Sequence, residues 1–196
     1  MRIVLEGLPG AGKTTLGKKL SKELNSPLIP EFACFSAEEL KQYNLRAPFY
    51  RVNEEIKEYI GNYFKEPLVI FDRHYIGVLA FAFSLNKVQE ADDRGENYEN
   101  EFLWYQQCLK NGLLTPANHV IFLDISPELS LERQPRAREF DSMFGNLDFL
   151  KNIQDYYYYY YQAVEPNLQV NILPGVLSEE EIFNTAMSYI SSVLTK

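Results

Sequence analysis

Short apolar runs recur along the chain, and between them apolar residues fall at helical spacing. Arg2 to Glu6 (RIVLE) is a β-branched run ending in a glycine turn, the pattern of a buried first strand. Leu16, Leu20 and Leu24 follow at i, i+4 and i+8 with lysines on the other face, which predicts a helix from about Lys13 to Asn25 packing one side on a sheet. Asn25-Ser26-Pro27 ends it. Leu28-Ile29 predicts a brief second strand, and Val52 to Phe64 a helical segment. Leu68-Val69-Ile70-Phe71 is apolar throughout, as a central strand covered on both faces must be. Asp72 to Leu85 predicts a helix, the acidic and polar stretch Asn86 to Asn100 an exposed loop, and Phe102 to Lys110 a further helix.

Val120 to Leu123 predicts another strand, and Ser126-Pro127-Glu128 starts a helix with proline at its first position. Leu168 to Leu173 predicts the last strand. Ser178 to Leu194 predicts the last helix, whose first turn carries Glu179, Glu180 and Glu181 against the positive end of the helix dipole. Strands alternating with helices imply a three-layer α/β domain, a parallel five-stranded sheet with helices on both faces. No internal repeat interrupts this order.

Composition narrows the class. With 196 residues and 46% hydrophobic composition, the chain can build one full core and has little room for a second domain, so residues 1–196 read as one unit. No stretch is long and apolar enough for a membrane span. Two cysteines, Cys34 and Cys108, lie far apart without metal-ligand spacing, and a reducing cytoplasm suits them. A net charge of -8 argues against a nucleic-acid polymer as partner, because phosphate-backbone affinity comes from clustered Lys and Arg. A small anionic substrate would need a local basic pocket.

Gly7-Leu8-Pro9-Gly10-Ala11-Gly12-Lys13-Thr14 matches G-x-x-x-x-G-K-[ST], the Walker A pattern, between a predicted strand and a predicted helix. The glycines let successive backbone N–H groups converge on phosphate oxygens at the positive end of the helix. Lys13 adds charge for the outer phosphates, the Thr14 hydroxyl is placed for Mg²⁺, and Thr15 continues the ATP-binding segment. The predicted architecture is therefore the P-loop NTPase fold, whose members include GTPases, ATPases and small-molecule kinases.

Further candidates lie where ligands bind in such folds, beyond the carboxyl ends of the strands. Asp72 would hold Mg²⁺ directly or through water, and Arg73 would neutralise a phosphate or orient an acceptor hydroxyl. His74 is read as a packing residue. Glu31, after the second strand, is either a general base for an acceptor hydroxyl or an exposed turn glutamate. Arg133, Arg136 and Arg138 crowd into six positions of an acidic protein, which predicts an arginine-rich lid over about residues 132–147. Arg133 is assigned to ATP, and Arg136 and Arg138 to the transferring phosphate.

Taken together, the P-loop, Pro30-Glu31, Asp72-Arg73-His74 and Arg136-x-Arg138 resemble the thymidylate kinase and deoxynucleoside kinase branch of P-loop kinases, over nearly the whole chain. The Asp-Arg-His triplet and Asp124 through Asp141 are most similar to deoxynucleoside kinases. The resemblance implies Glu31 as general base, Asp72 serving Mg²⁺, Arg73 at the 5′ end, Asp141 at the sugar 3′-hydroxyl, and Arg136 and Arg138 on the phosphates. Arg51, 21 residues before Asp72, is similar instead to the thymidylate kinase arginine that grips a substrate monophosphate. The chain departs from both groups at Phe32, where proline is usual, and at Phe81-Ala82, where thymidylate kinases carry tyrosine and glutamine. Gln42 is the candidate for a base-reading glutamine.

Six consecutive tyrosines, Tyr156 to Tyr161, cannot all lie on one helical face, so some pack and some are wet. Phe35, Tyr50, Phe81 and Trp104 are candidates for an aromatic wall around a base. The expected function is transfer of the ATP γ-phosphate, with Mg²⁺, to a (deoxy)nucleoside 5′-hydroxyl or to a nucleoside monophosphate. A kinase of another small hydroxyl compound and a non-catalytic ATP-dependent switch are the alternatives. The partners expected are small nucleosides or nucleotides, with no membrane, and a homodimer is admitted.

Overall fold

A computed structural model describes residues 1–34, 47–88, 97–133 and 142–195. Its centre is a five-stranded sheet of β1 (Arg2–Gly7), β2 (Leu28–Ile29), β3 (Val69–Asp72), β4 (His119–Asp124) and β5 (Gln169–Pro174). The spatial order is β2-β3-β1-β4-β5 and every pair is parallel. Each parallel step needs a crossover, which the helical segments supply. β1 and β3 are buried along their whole length. That is why they read as continuous apolar runs rather than as an alternation.

Seven α-helices lie among the described residues: α1 (Lys13–Leu24), α2 (Ala47–Tyr63), α3 (Tyr75–Val88), α4 (Tyr98–Lys110), α5 (Pro127–Arg133), α6 (Leu147–Tyr159) and α7 (Glu179–Leu194). α1 packs on β1, β2 and β3 and against α7, while α3, α4, α5 and α6 associate on the opposite face. Tyr157, Tyr158 and Tyr161 all meet Phe122 of β4, which seats α6 on that face. The fold is thus the three-layer α/β arrangement expected.

Three boundaries differ from expectation. α2 starts at Ala47 rather than near Val52, because Pro48 sits in its first turn, where a missing N–H costs nothing. α3 starts at Tyr75, since Arg73 has φ 62 and cannot continue a right-handed helix. α4 starts at Tyr98 within the stretch expected to be loop; Asn97 caps it by accepting from the Asn100 N–H, and its acids serve the first turn. α7 carries a capping box between Ser178 and Glu181.

The tyrosine run splits as its length requires. Tyr156, Tyr157 and Tyr160 are fully buried and Tyr159 is exposed. At Tyr160–Val164 the helix widens into a π turn, which changes the angular step between successive side chains.

Candidate active site

The carboxyl ends of β1 and β3 lie side by side, with Leu5 opposite Asp72. Beyond β1 the chain turns through Gly7 to Gly12 into α1. Gly7 is required by contact as well as by conformation: its φ is 140, and a Cβ there would lie 2.4 Å from the Leu123 carbonyl oxygen of β4. Gly10 (φ 74) and Gly12 (φ 94) supply the left-handed turns of the loop. Gly12 caps α1 with no side-chain hydrogen bond, and the first turn holds no acid. The N–H groups at the start of α1 are therefore left for an external anion.

Lys13 folds back over this loop, its Nζ donating to the carbonyls of Gly7 (3.1 Å) and Leu8 (2.9 Å). Burial and the nearby Arg73 lower its ammonium to about 8 against the pull of Glu31, Asp72 and Glu6. The Thr14 hydroxyl donates to Asp72 Oδ2 at 2.5 Å. Because the hydroxyl spends its proton there, its oxygen lone pairs stay available. Asp72 Oδ1 is buried and has no hydrogen-bond partner among the described residues. An orphaned carboxylate oxygen beside a threonine oxygen suits a hard divalent cation that prefers oxygen ligands.

Arg73 follows Asp72 and reaches Glu31, with Nε 3.0 Å from Oε1 in an ion pair whose N–H points off the contact. On its other side, Arg73 Nη1 donates to the Tyr157 hydroxyl (3.1 Å) and lies 3.7 Å from Glu6 Oε2. Burial opposes the guanidinium charge, but Glu31 foremost, with Tyr157, Glu6 and Asp72, holds it above its ordinary value. Glu31 is 40% exposed in its side chain and faces a cavity. Its loop is held by Asn53 of α2, which donates to the Glu31 carbonyl (2.9 Å) and accepts from the Ala33 N–H (2.8 Å).

This cavity is about 490 Å³, within the range of small-molecule sites. Lys13, Thr14, Glu31 and Arg73 line one end, and Tyr50, Val78, Phe81, Phe144 and Ile153 form an apolar wall. Phe81 stands 6.2 Å from Tyr50 and 5.7 Å from Phe144, ring centre to ring centre. A second cavity of about 370 Å³ lies behind the P-loop, lined by Leu16, Arg133, Gly175, Leu177 and Ile182 among others. Gly10, Gly12 and Thr15 line both, so the P-loop separates two compartments. Arg133 is pinned there, its Nη1 donating to the Gly175 carbonyl at 2.9 Å.

The structure thus brings together Lys13, Thr14, Glu31, Asp72 and Arg73, with Arg133 beside the P-loop. Arg51 stands elsewhere: its Nε and Nη2 bind Glu101 at 3.1 and 2.7 Å, its guanidinium lies 5.1 Å from the Trp104 ring centre, and it is not among the described residues lining the larger cavity. Trp104 is likewise absent from that lining, whereas Tyr50 and Phe81 are present. Arg136, Arg138, Asp141, Gln42 and Phe35 lie outside the described residues, as does the middle of the expected lid over 132–147, residues 134–141. His74 is a packing residue, in edge contact with Phe71 and Tyr75.

Sequence reasoning missed several contributors. Glu6 was legible only as an acid closing the apolar run Ile3-Val4-Leu5. Asn53, Glu54 and Lys57 drew no assignment within the predicted helical segment, yet all three are buried against the cavity. Lys57 donates to Glu54 (3.1 Å) and to the Arg73 carbonyl (2.8 Å). Tyr157 could not be told from its five tyrosine neighbours.

A Walker A loop between two cavities, on a parallel sheet of this order, with an acid and an arginine facing an aromatic-walled chamber, defines a P-loop kinase of small molecules. The deoxynucleoside kinase family model matches residues 3–185, and the chain belongs to that family. It is accordingly a nucleoside kinase, transferring phosphate from ATP to a (deoxy)nucleoside. Among curated relatives, a deoxyadenosine kinase of Dictyostelium discoideum is 30% identical over 179 residues, covering 86% of this chain and 71% of that protein. A thymidylate kinase of Buchnera aphidicola is 28% identical over 192 residues, covering 86% and 85%. Among solved structures, the deoxyadenosine kinase of M. mycoides with bound dATP aligns at a TM-score of 0.76 and 17% identity, over 97% of this chain and 100% of that one. The same enzyme with bound dCTP aligns at 0.70 and 19%, over 98% and 100%. These two likenesses concern the fold.

Proposed function

We propose that the chain phosphorylates the 5′-hydroxyl of a deoxynucleoside held in the larger cavity, with deoxyadenosine as the first acceptor to test. The observation that carries this reading is the pairing of Glu31 with Arg73 at the cavity end nearest Lys13. The 5′-hydroxyl gives its proton to Glu31 as its oxygen attacks the γ-phosphorus. The bond from that phosphorus to the β,γ-bridging oxygen breaks, and ADP and the nucleoside monophosphate result. Lys13 and Arg73 meet the charge that spreads over the transferring group, and the P-loop amides hold the remaining phosphates. Arg133 and the second cavity would take the donor base. Mg²⁺, held by Thr14 and Asp72, would neutralise phosphate charge.

A deoxynucleoside is favoured over a monophosphate acceptor because Arg51, the arginine expected to grip a phosphate, is committed to Glu101 and Trp104. The D. discoideum relative supports deoxyadenosine by its name alone. Arg136, Arg138 and Asp141 keep the lid and sugar roles that the resemblance gave them, within one catalytic domain. The test is ADP release across a panel of nucleosides and monophosphates, with Glu31→Gln and Lys13→Ala beside the wild type. We expect turnover on deoxynucleosides and, for Glu31→Gln, a loss on the order of 10² or more in kcat with ATP binding retained. Turnover on monophosphates alone, or an unchanged Glu31→Gln enzyme, refutes the reading.

A further inference from the structure

A carboxylate at the end of a buried strand is costly unless it is paired, and Glu6 is fully buried in a strand whose other residues are almost all apolar. Its partners all lead to one place. Oε1 accepts the His74 N–H at 2.9 Å, and Oε2 accepts the Tyr157 hydroxyl at 2.7 Å. Tyr157 in turn accepts from Arg73 Nη1, which also lies within ion-pair distance of Glu6 itself. The main chain around Arg73 is held just as closely. Its N–H donates to the Leu5 carbonyl at 3.0 Å and its carbonyl accepts from Lys57, on either side of a left-handed conformation that a residue with a Cβ adopts only at a cost.

Gly77 supplies a separate observation. A Cβ there would lie 3.1 Å from Glu6 Oε2, 3.2 Å from the Tyr157 hydroxyl and 3.5 Å from Arg73 Nη1. The space that the network fills is therefore kept open by the lack of a side chain on α3. An arginine on a long flexible stem stabilises developing charge best when its geometry is set before the reaction. Glu6 and Tyr157 meet Arg73 at Nη1, whereas Glu31 meets it at Nε.

We propose that Glu6 and Tyr157 are positioning residues of the transfer reaction: they fix the Arg73 guanidinium between the buried strand end and Glu31, so that it meets the transferring phosphate without searching. The proposal rests on the role given to Arg73 above. Neither residue is among those lining the two cavities, so their removal should act on kcat through Arg73 and leave ATP binding at the P-loop in place.

The test is a double-mutant cycle with Tyr157→Phe and Arg73→Gln, read as kcat and KM for deoxyadenosine and as ATP affinity by calorimetry. Tyr157→Phe keeps the ring packed on Phe122 and removes one hydroxyl, so the fold should survive it; a thermal melt checks this. We expect Tyr157→Phe to lower kcat roughly tenfold with ATP affinity nearly unchanged, and Arg73→Gln to lower it roughly a hundredfold. In the Arg73→Gln background, Tyr157→Phe should then cost less than about twofold, because its client is gone. Gly77→Ala, which crowds the Glu6 carboxylate and the Tyr157 hydroxyl, should lower kcat at least as much as Tyr157→Phe. If Tyr157→Phe costs the same with and without Arg73, its role is packing and the proposal is overturned. If Arg73→Gln leaves kcat unchanged, the role of Arg73 itself fails. If Arg73→Gln is impaired while Tyr157→Phe is not, only the positioning proposal fails.

Discussion

Stability should fall on acidification through one buried ring. His74 is almost wholly enclosed, with its ring centre 5.4 Å from that of Phe71 and 4.6 Å from that of Tyr75, and its Nδ1 has no hydrogen-bond partner among the described residues. Burial first, then the cations of Lys57 and Arg2, lowers its imidazole well below the ordinary 6.5. The unfolded chain therefore binds a proton near that ordinary value while the folded chain does not, and stability is lost as pH falls below it. From about pH 7.5 to about pH 5.5 the unfolded imidazole gains close to one full proton-binding decade, worth about 1.4 kcal/mol.

Glu6 and Glu54, raised chiefly by burial, titrate with the opposite sign. The useful quantity is thus the difference between the wild type and His74→Phe, in which the shared groups cancel. Phenylalanine keeps an aromatic ring between Phe71 and Tyr75 and has nothing to protonate. Urea denaturation at a series of pH values, followed by circular dichroism, should show the variant gaining about 1.4 kcal/mol on the wild type over that interval. A difference that stays flat with pH would mean the folded protein accepts the proton, and the argument from enclosure would be wrong.

Two glycines of one loop should respond differently to the same change. Gly7→Ala meets the Leu123 carbonyl and should cost about 3 kcal/mol or more in thermal stability, whereas Gly12→Ala, with nothing within 4 Å of its Cβ, should cost about 1 kcal/mol from its backbone angle alone. Equal losses would count against the contact with β4. Glu58→Gln should cost about 3 to 5 kcal/mol, because Arg2 Nη2 (2.7 Å), the Thr115 hydroxyl (2.8 Å) and the Thr115 N–H (3.1 Å) converge on a buried carboxylate. Burial pushes the Glu58 carboxyl up, but these hydrogen bonds outweigh it and hold it below its ordinary 4.5. Its contribution is therefore complete above that value and lost as pH falls below it, which acid denaturation of the two proteins should reveal as a missing step in the variant.

The donor half of the site was legible because its chemistry uses main-chain groups, and the sequence advertises those through glycines at fixed spacing. β1, β3 and β4 were legible because burial on both faces demands unbroken apolar runs. What stayed hidden was polar burial. Asn53, Glu54 and Lys57 have the composition of a wet helix face, and only the packing of α2 over the loop after β2 shows that they are enclosed. Tyr157 was hidden by repetition, since which of six identical side chains meets Glu6 depends on the helix phase set by β4. Arg51 had the spacing of a phosphate grip, but spacing along the chain does not reveal that Glu101 on a later helix claims it.

That pairing leaves the protein with an internal optical gauge. Trp104 is the chain's single tryptophan, and the Arg51 guanidinium lies over its indole. A ligand that drew Arg51 into the larger cavity would strip the cation from the ring and alter its fluorescence without any label. A nucleoside that leaves Arg51 on Glu101 would leave the emission quiet, so a cuvette titration distinguishes the two acceptor classes before any turnover is measured.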